Sequence, residues 1–163
     1  MKIKIQTISV TPLIPDLSNR LWTNTRKIDV RFSIDGSKGF VLTIPSHSKS
    51  NFASIPVLLR GLFLTTSPRQ AMPAFIHDAL TKEYKRTDGR PHCVISINEY
   101  FQSSEDIERL KNIGEIPVVD WEFATEIFRE ALSWYEEKSW RAFFLVKGVY
   151  LWGKIKEKIG NMS

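Results

Sequence analysis

The sequence has one cysteine, Cys93, among 163 residues, which excludes an internal disulfide and a cysteine-based zinc site. No apolar run approaches the roughly 18 residues of a membrane-spanning helix, so no membrane span is predicted. The N-terminal segment MKIKIQTISV lacks the apolar core and small-residue cleavage site of a signal peptide. A reducing compartment or a virion interior suits such a chain.

The excess of positive charge is also modest, with a net charge of +5. Much of it lies near the C-terminus, at Lys147, Lys154, Lys156 and Lys158, and no nucleic-acid-binding fold motif accompanies these lysines. A solvated face is the favoured interpretation, ahead of nucleic-acid binding and of contact with a partner or a membrane surface. Hydrophobic residues at 42% indicate a globular chain, and the length favours one domain over residues 1–163.

The first 45 residues predict strands. Residues 2–10 alternate between apolar and polar, and Pro12 and Pro15 are expected to end this strand. Residues 28–34 alternate in the same way, and a glycine-containing turn separates them from residues 40–44. This pattern predicts a β-hairpin.

A helix is predicted after a compact turn at residues 51–56. It starts at Pro68 or, in its main part, at Pro73. His77 and Asp78 flank its apolar stripe on a helical wheel, so both are expected at the boundary between core and solvent, facing a cleft. The stripe itself consists of residues at helical spacing: Met72, Phe75, Ile76, Ala79 and Leu80.

Residues 85–118 are interpreted as an inserted subregion. It contains a turn at residues 87–91, a strand at residues 93–97 and a short helix at residues 103–113, capped by Ser103. Cys93, beside the strand, is expected in the core.

Two amphipathic helices end the chain and predict an antiparallel helical hairpin, because only residues 136–139 connect them. The fold class is therefore α+β, with an N-terminal antiparallel sheet packed against C-terminal helices. The first helix has a stripe at Ala124, Ile127, Phe128, Ala131, Leu132 and Tyr135, and the second has one at Trp140, Phe144, Gly148, Leu151 and Ile155.

The order of five short motifs resembles the phage and prophage family catalogued as domain of unknown function 1353. The motifs are a strand ending in proline, an alanine-serine-x-proline turn, a helix with histidine-aspartate, a further amphipathic helix and an aromatic-glycine step. They lie at residues 40–45, 51–56, 75–80, 124–132 and 148–153. The resemblance implies that His77 and Asp78 correspond to the histidine and aspartate of the family pattern, which this sequence retains.

The departures from the family pattern are informative as well. Asn51 and Thr125 stand where the resemblance implies aspartates, and Thr81 stands where it implies a tyrosine. Neutral side chains at 51 and 125 are good hydrogen-bonding groups but poor metal ligands. We therefore expect no metal ligands and no bound divalent cation, and expect that restoring both acids creates cation affinity.

The candidate site consists of Asn51, Ser54, His77, Asp78 and Thr125, which are expected to converge because polar groups embedded in apolar sequence must find partners. His77 could accept a proton and Asp78 could ligate a divalent cation. The favoured interpretation is instead that the pair hydrogen-bonds the turn at residues 51–56 and fixes sheet to helix.

Asp120 is a further candidate, and both it and Ser54 have a structural interpretation beside the functional one. Asp120 could supply the missing acid, but is more typical of a helix N-cap. Ser54 could be a nucleophile, but no glycine-flanked elbow surrounds it, so a turn residue bonding its own backbone is favoured.

The favoured function is a phage-type accessory or virion-associated structural protein in which the His77-Asp78 cluster is a degenerate site. Its partners would be proteins, either other virion subunits or further copies of the chain, in the virion or the host cytoplasm, with no cofactor. The alternative is a metal-assisted hydrolase acting on cell-envelope material, with His77 and Asp78 catalytic and a divalent metal as cofactor.

Overall fold

The computed structural model describes residues 2–9, 11–16, 21–35, 38–52, 55–56, 68–84, 92–97, 117, 119–135 and 140–160. These residues form an antiparallel sheet in the N-terminal half and helices on the C-terminal side, which confirms the predicted α+β class. The strands are β1 (Ile3–Ile8), β2 (Leu13–Asp16), β3 (Leu21–Asn24), β4 (Ile28–Ile34), β5 (Lys38–Ile44), β6 (Lys49–Ser50) and β7 (Val94–Ile97). The helices are α1 (Pro68–Tyr84), α2 (Trp121–Trp134) and α3 (Trp140–Gly160).

The main sheet has the strand order β1-β4-β5-β7, and all its neighbours are antiparallel. The predicted hairpin is β4 and β5, in which Phe32 pairs with Phe40 and their rings stack with centroids 5.6 Å apart. Every second residue is buried from Ile28 to Phe32 in β4 and from Phe40 to Ile44 in β5, because side chains alternate between the two faces of a sheet. Side chains on this buried face form one hydrophobic core with side chains of the helices.

A second sheet, β2-β3-β6, holds the segment that leads to the candidate site. Pro15 lies within β2 rather than ending a strand, which corrects the expectation from sequence. It is tolerated there because β2 is an edge strand, where a missing backbone donor need not break a ladder. Lys49 and Ser50 form β6 opposite Thr23 and Trp22.

The strand predicted at residues 93–97 is present as β7, and it pairs with β5 at the edge of the main sheet. Cys93 precedes it and is buried, as predicted. The predicted turn at residues 87–91 and the predicted helix at residues 103–113 lie outside the described residues. An inserted subregion over residues 85–118 stays a prediction.

Helix α1 begins at Pro68 and contains Pro73 in its interior. Each residue from position 71 to position 81 is buried, including His77 at 0% exposure and Asp78 at 2%. The expected position of these two side chains at the boundary between core and solvent is therefore wrong. The physical reason is that α1 is covered on more than one side, by α2 and by β6.

Helix α2 has the predicted apolar stripe, and its residues Ala124, Ile127, Phe128, Ala131 and Leu132 are all buried. Asp120 is its N-cap, because its backbone is extended and its Oδ1 accepts a hydrogen bond of 2.7 Å from the Phe123 backbone N–H. The structural interpretation of Asp120 is confirmed by this bond.

Helix α3 packs against α2 with the opposite face from the one predicted. Trp140, Phe144, Leu151 and Ile155 are exposed, and the buried face instead carries Ala142, Leu145, Val149 and Gly153. A Cβ built on Gly153 would overlap the indole of Trp121, so only glycine permits this approach. Trp121 starts α2 and Gly153 lies late in α3, so the two helices are antiparallel, as predicted. In the part of the chain that the structure describes, no helix has the length and apolar character to cross a membrane.

Candidate functional site

The carboxylate of Asp78 is the centre of a buried polar network. Its Oδ2 accepts a hydrogen bond of 2.7 Å from the Ser50 hydroxyl and lies 3.3 Å from the Lys82 ammonium. The same ammonium donates a hydrogen bond of 2.6 Å to the backbone carbonyl of Lys49. A buried carboxylate requires such compensation, because removing it from water is costly. The network therefore ties α1 to β6 through charged and polar groups.

Ser50 links this network to the turn that follows β6. Its hydroxyl oxygen accepts a hydrogen bond of 3.1 Å from the Phe52 backbone N–H while it donates to Asp78. Phe52 has φ 55°, a left-handed conformation that is unfavourable for a bulky side chain. Its carbonyl accepts from the Ile55 N–H at 3.0 Å, and its buried ring lies 6.0 Å from that of Trp22. Asp78 thus helps to hold a strained turn in place.

His77 faces a different environment from its neighbour. Its imidazole lies between two aromatic rings of α2, with centroid distances of 5.3 Å both to Trp121 and to Phe128. Burial lowers the pKa of His77 to about 4, since a charged imidazolium is disfavoured away from water, and the Asp78 charge opposes this shift only in part. At neutral pH the ring is therefore neutral and packed within the core.

The other predicted residues lie on different elements, and their convergence on Asp78 stays a prediction. Thr125 is buried one turn after Trp121, and its hydroxyl donates a hydrogen bond of 2.8 Å to the Trp121 carbonyl within α2. Asn51 follows Ser50 and is exposed to solvent. The Asp120 carboxylate caps the N-terminus of α2. Ser54 lies outside the described residues.

Two residues of the network were missed by the sequence reasoning. Ser50 lies at the end of a polar stretch of sequence, and no local signal distinguishes it from its polar neighbours before its burial is known. Lys82 had a signal, because an acid followed four residues later by lysine forms a favourable pair on a helix. Thr81 likewise bonds locally, donating to the Asp78 carbonyl at 3.0 Å.

A cleft of about 590 Å³ opens beside this network. Ser50 and Lys82, which both contact the Asp78 carboxylate, line it together with His47, Lys49 and His92. Asp78 is therefore behind the cleft wall rather than on its surface. Among the described residues, no group of three or more His, Cys, Asp or Glu side chains is arranged to hold a metal ion.

The sheet, the three helices and this buried network define an α+β protein whose histidine-aspartate pair is internal. A family model described as "Protein of unknown function (DUF1353)" matches residues 27–149, so the chain belongs to this family. The resemblance drawn from the sequence motifs is thereby confirmed. No curated protein and no solved structure matches the chain.

Proposed function

We propose that this chain is a phage-type accessory or virion-associated structural protein, and that its His77-Asp78 cluster serves the fold rather than catalysis. The observation that carries the proposal is the internal use of both side chains. Asp78 is occupied by Ser50 and Lys82, and His77 is enclosed by Trp121 and Phe128.

A general base must come within hydrogen-bonding reach of the proton that it removes from a substrate or water. His77 has no exposed surface, and its pKa of about 4 makes it a weak base at neutral pH. The Asp78 carboxylate holds Ser50, which in turn holds the backbone of the strained turn at Phe52. These features support a structural cluster that connects α1, β6 and the turn.

Virion association is tested by mass spectrometry of purified particles from a phage that encodes the chain. We expect its peptides in amounts comparable to those of other structural subunits, with an abundant host cytoplasmic protein as the control for carry-over. The partners would then be neighbouring subunits or further copies of this chain. Recovery at or below the level of the host control would contradict a virion role and leave the host cytoplasm as its location.

The alternative, a metal-assisted hydrolase acting on cell-envelope material, makes a separate prediction. It requires a divalent cation bound with the help of His77 or Asp78, whereas the structural proposal expects no specific heat of binding. Isothermal titration calorimetry with Mg²⁺, Mn²⁺ and Zn²⁺ distinguishes the two. Because Asn51 and Thr125 replace the acids implied by the family pattern, the double variant Asn51→Asp and Thr125→Asp is expected to gain affinity.

The controls for the titration are His77→Ala and the nearly isosteric Asp78→Asn. Circular dichroism of each variant establishes that it is folded before any loss of binding is interpreted. A stoichiometric site in the native chain that both folded variants lose would overturn the structural proposal in favour of the hydrolase. A heat that persists in both variants would place the cation elsewhere on the protein.

A further inference from the structure

The outward face of α3 carries large exposed apolar side chains from its first turn to its last. Six large side chains on it are between 49% and 64% exposed, although the opposite face of the same helix is packed on the protein. A contiguous exposed apolar surface of this kind is unfavourable in water and typically marks a site of association. The six residues, which we call the α3 outer face, are Trp140, Phe143, Phe144, Leu151, Ile155 and Ile159.

Lysines run alongside these apolar side chains. At about 100° per residue, Trp140, Phe144, Leu151 and Ile155 occupy an arc of about 60°, and Lys147, Lys154 and Lys158 occupy an adjoining arc of about 40°. All three lysines are exposed. The sequence of α3 contains five basic residues and one acidic residue, so the helix as a whole is cationic.

The ammonium groups of two of these lysines lie over aromatic rings of the same helix. The Lys147 ammonium is 5.7 Å from the centroid of Phe143, and the Lys154 ammonium is 5.7 Å from that of Tyr150. Cationic and aromatic groups therefore share one surface of the helix. An occupant of this face must accept ammonium groups and apolar side chains side by side.

This combination discriminates among the possible occupants. A second copy related by a two-fold axis would bring one cationic face against another, which is repulsive. Protein interfaces in general are depleted in lysine. Nucleic acid would pair with the lysines, but its polar interface would not cover leucine and isoleucine. The surface of an anionic bilayer accepts all of these groups, because lysines contact lipid phosphates while aromatic and aliphatic side chains enter the interface.

We propose that the α3 outer face binds the surface of an anionic lipid bilayer, with α3 lying parallel to the membrane plane. Leu151 and Ile155 enter the boundary between headgroups and acyl chains, and Trp140 sits at the headgroup level. Lys147, Lys154 and Lys158 contact the lipid phosphates. This interaction is independent of the role proposed for the buried His77-Asp78 cluster, because it uses none of its residues.

The test is sedimentation of the full chain with vesicles of equal parts phosphatidylcholine and phosphatidylglycerol, and with phosphatidylcholine alone. Binding is expected only to the mixed vesicles and is expected to weaken as salt is added. The triple variant Lys147→Gln, Lys154→Gln, Lys158→Gln is expected to bind at least about tenfold more weakly, since each lysine near an anionic surface contributes appreciably. The double variant Leu151→Ser, Ile155→Ser is expected to show a loss of similar size.

Two matched controls remove the same groups from other surfaces. Lys2→Gln, Lys4→Gln, Lys27→Gln deletes three exposed lysines at or near the main sheet, and Ile14→Ser, Val94→Ser deletes two exposed aliphatic side chains on β2 and β7. Both controls are expected to bind like the unmodified chain. Thermal unfolding of each variant verifies that its fold is intact.

Several outcomes would overturn the proposal. These are no binding to mixed vesicles, equal binding to phosphatidylcholine alone, or equal losses in the controls and the α3 variants. Concentration-dependent dimerisation in analytical ultracentrifugation that Leu151→Ser, Ile155→Ser abolishes would assign the face to a second copy. Retention of duplex DNA that needs the three lysines but not Leu151 and Ile155 would assign it to nucleic acid.

Discussion

Replacing Phe128 by alanine is expected to lower the free energy of unfolding by about 3–5 kcal/mol. Phe128 has no exposed surface, and its ring lies 5.3 Å from the imidazole of His77. It sits on the buried face of α2, which packs against α1. Truncation therefore removes buried apolar area and also leaves a cavity that the surrounding rings fill only in part.

Equilibrium unfolding in urea measures this loss, and the chain offers a control with the same chemistry. Phe144→Ala removes a ring that is 53% exposed on α3, so its expected cost is below about 1 kcal/mol. A cost below about 1 kcal/mol for Phe128→Ala as well would contradict the packing of α2 described above. Equal slopes of the unfolding free energy against urea would show that both variants unfold from a similarly compact state.

The hairpin of β4 and β5 and the buried stripe of α2 could be predicted from the sequence for one reason. In each, the apolar residues recur at a single periodicity, and most intervening residues of β4 and α2 are polar, so one face is favoured for burial. Asp120 also marked the start of α2, because an extended aspartate before an apolar run satisfies an orphan backbone donor.

Helix α3 shows where that reasoning fails. Apolar residues lie on two faces, and periodicity alone does not choose between them. The structure buries the face that carries Ala142 and Gly153, because small residues let α3 approach α2 closely. The face with the larger side chains was predicted to be buried, and it is the exposed one. Size complementarity with the neighbouring helix, which periodicity does not report, decided the orientation.

The candidate site was predicted in part. His77 and Asp78 are held by contacts to other elements, as the burial argument requires, and these contacts include residues outside the predicted set. Ser50, which is not in the predicted set, gives Asp78 a hydrogen bond, because strand register and not chain proximity to the motif places its hydroxyl beside the helix. Such a pairing depends on the tertiary packing of β6 against α1, which local sequence does not encode.

Acidification is expected to destabilise the protein through His77 between pH 6.5 and about 4. The folded-state pKa of His77 is about 4, below the ordinary value of 6.5, because burial disfavours its charged form. In this window the unfolded chain binds a proton that the folded chain does not, so the unfolding free energy falls as the pH falls. At about 1.36 kcal/mol per pKa unit, the loss attributable to His77 is about 3 kcal/mol.

The loss from His77 is expected to be absent above pH 6.5, where the ring is neutral in both states, and to level off below about 4, where both states bind the proton. Carboxylates add their own pH dependence at the acid end, so the informative quantity is a difference between matched variants. His77→Asn is expected to flatten the profile of unfolding free energy between pH 6.5 and 4. His47→Asn removes an exposed histidine at φ 60°, a conformation that asparagine tolerates, and is expected to leave the profile unchanged.

Chemical denaturation at a series of pH values gives the two profiles, and NMR titration of the imidazole signals gives the pKa of each histidine directly. One imidazole is expected to resist protonation until the pH approaches 4, and its signal is expected to disappear in His77→Asn. A profile for His77→Asn that parallels that of the unmodified chain would show that His77 is not buried in a neutral form. An imidazole midpoint near 6.5 for His77 would lead to the same conclusion, because it would place the ring in water rather than between Trp121 and Phe128.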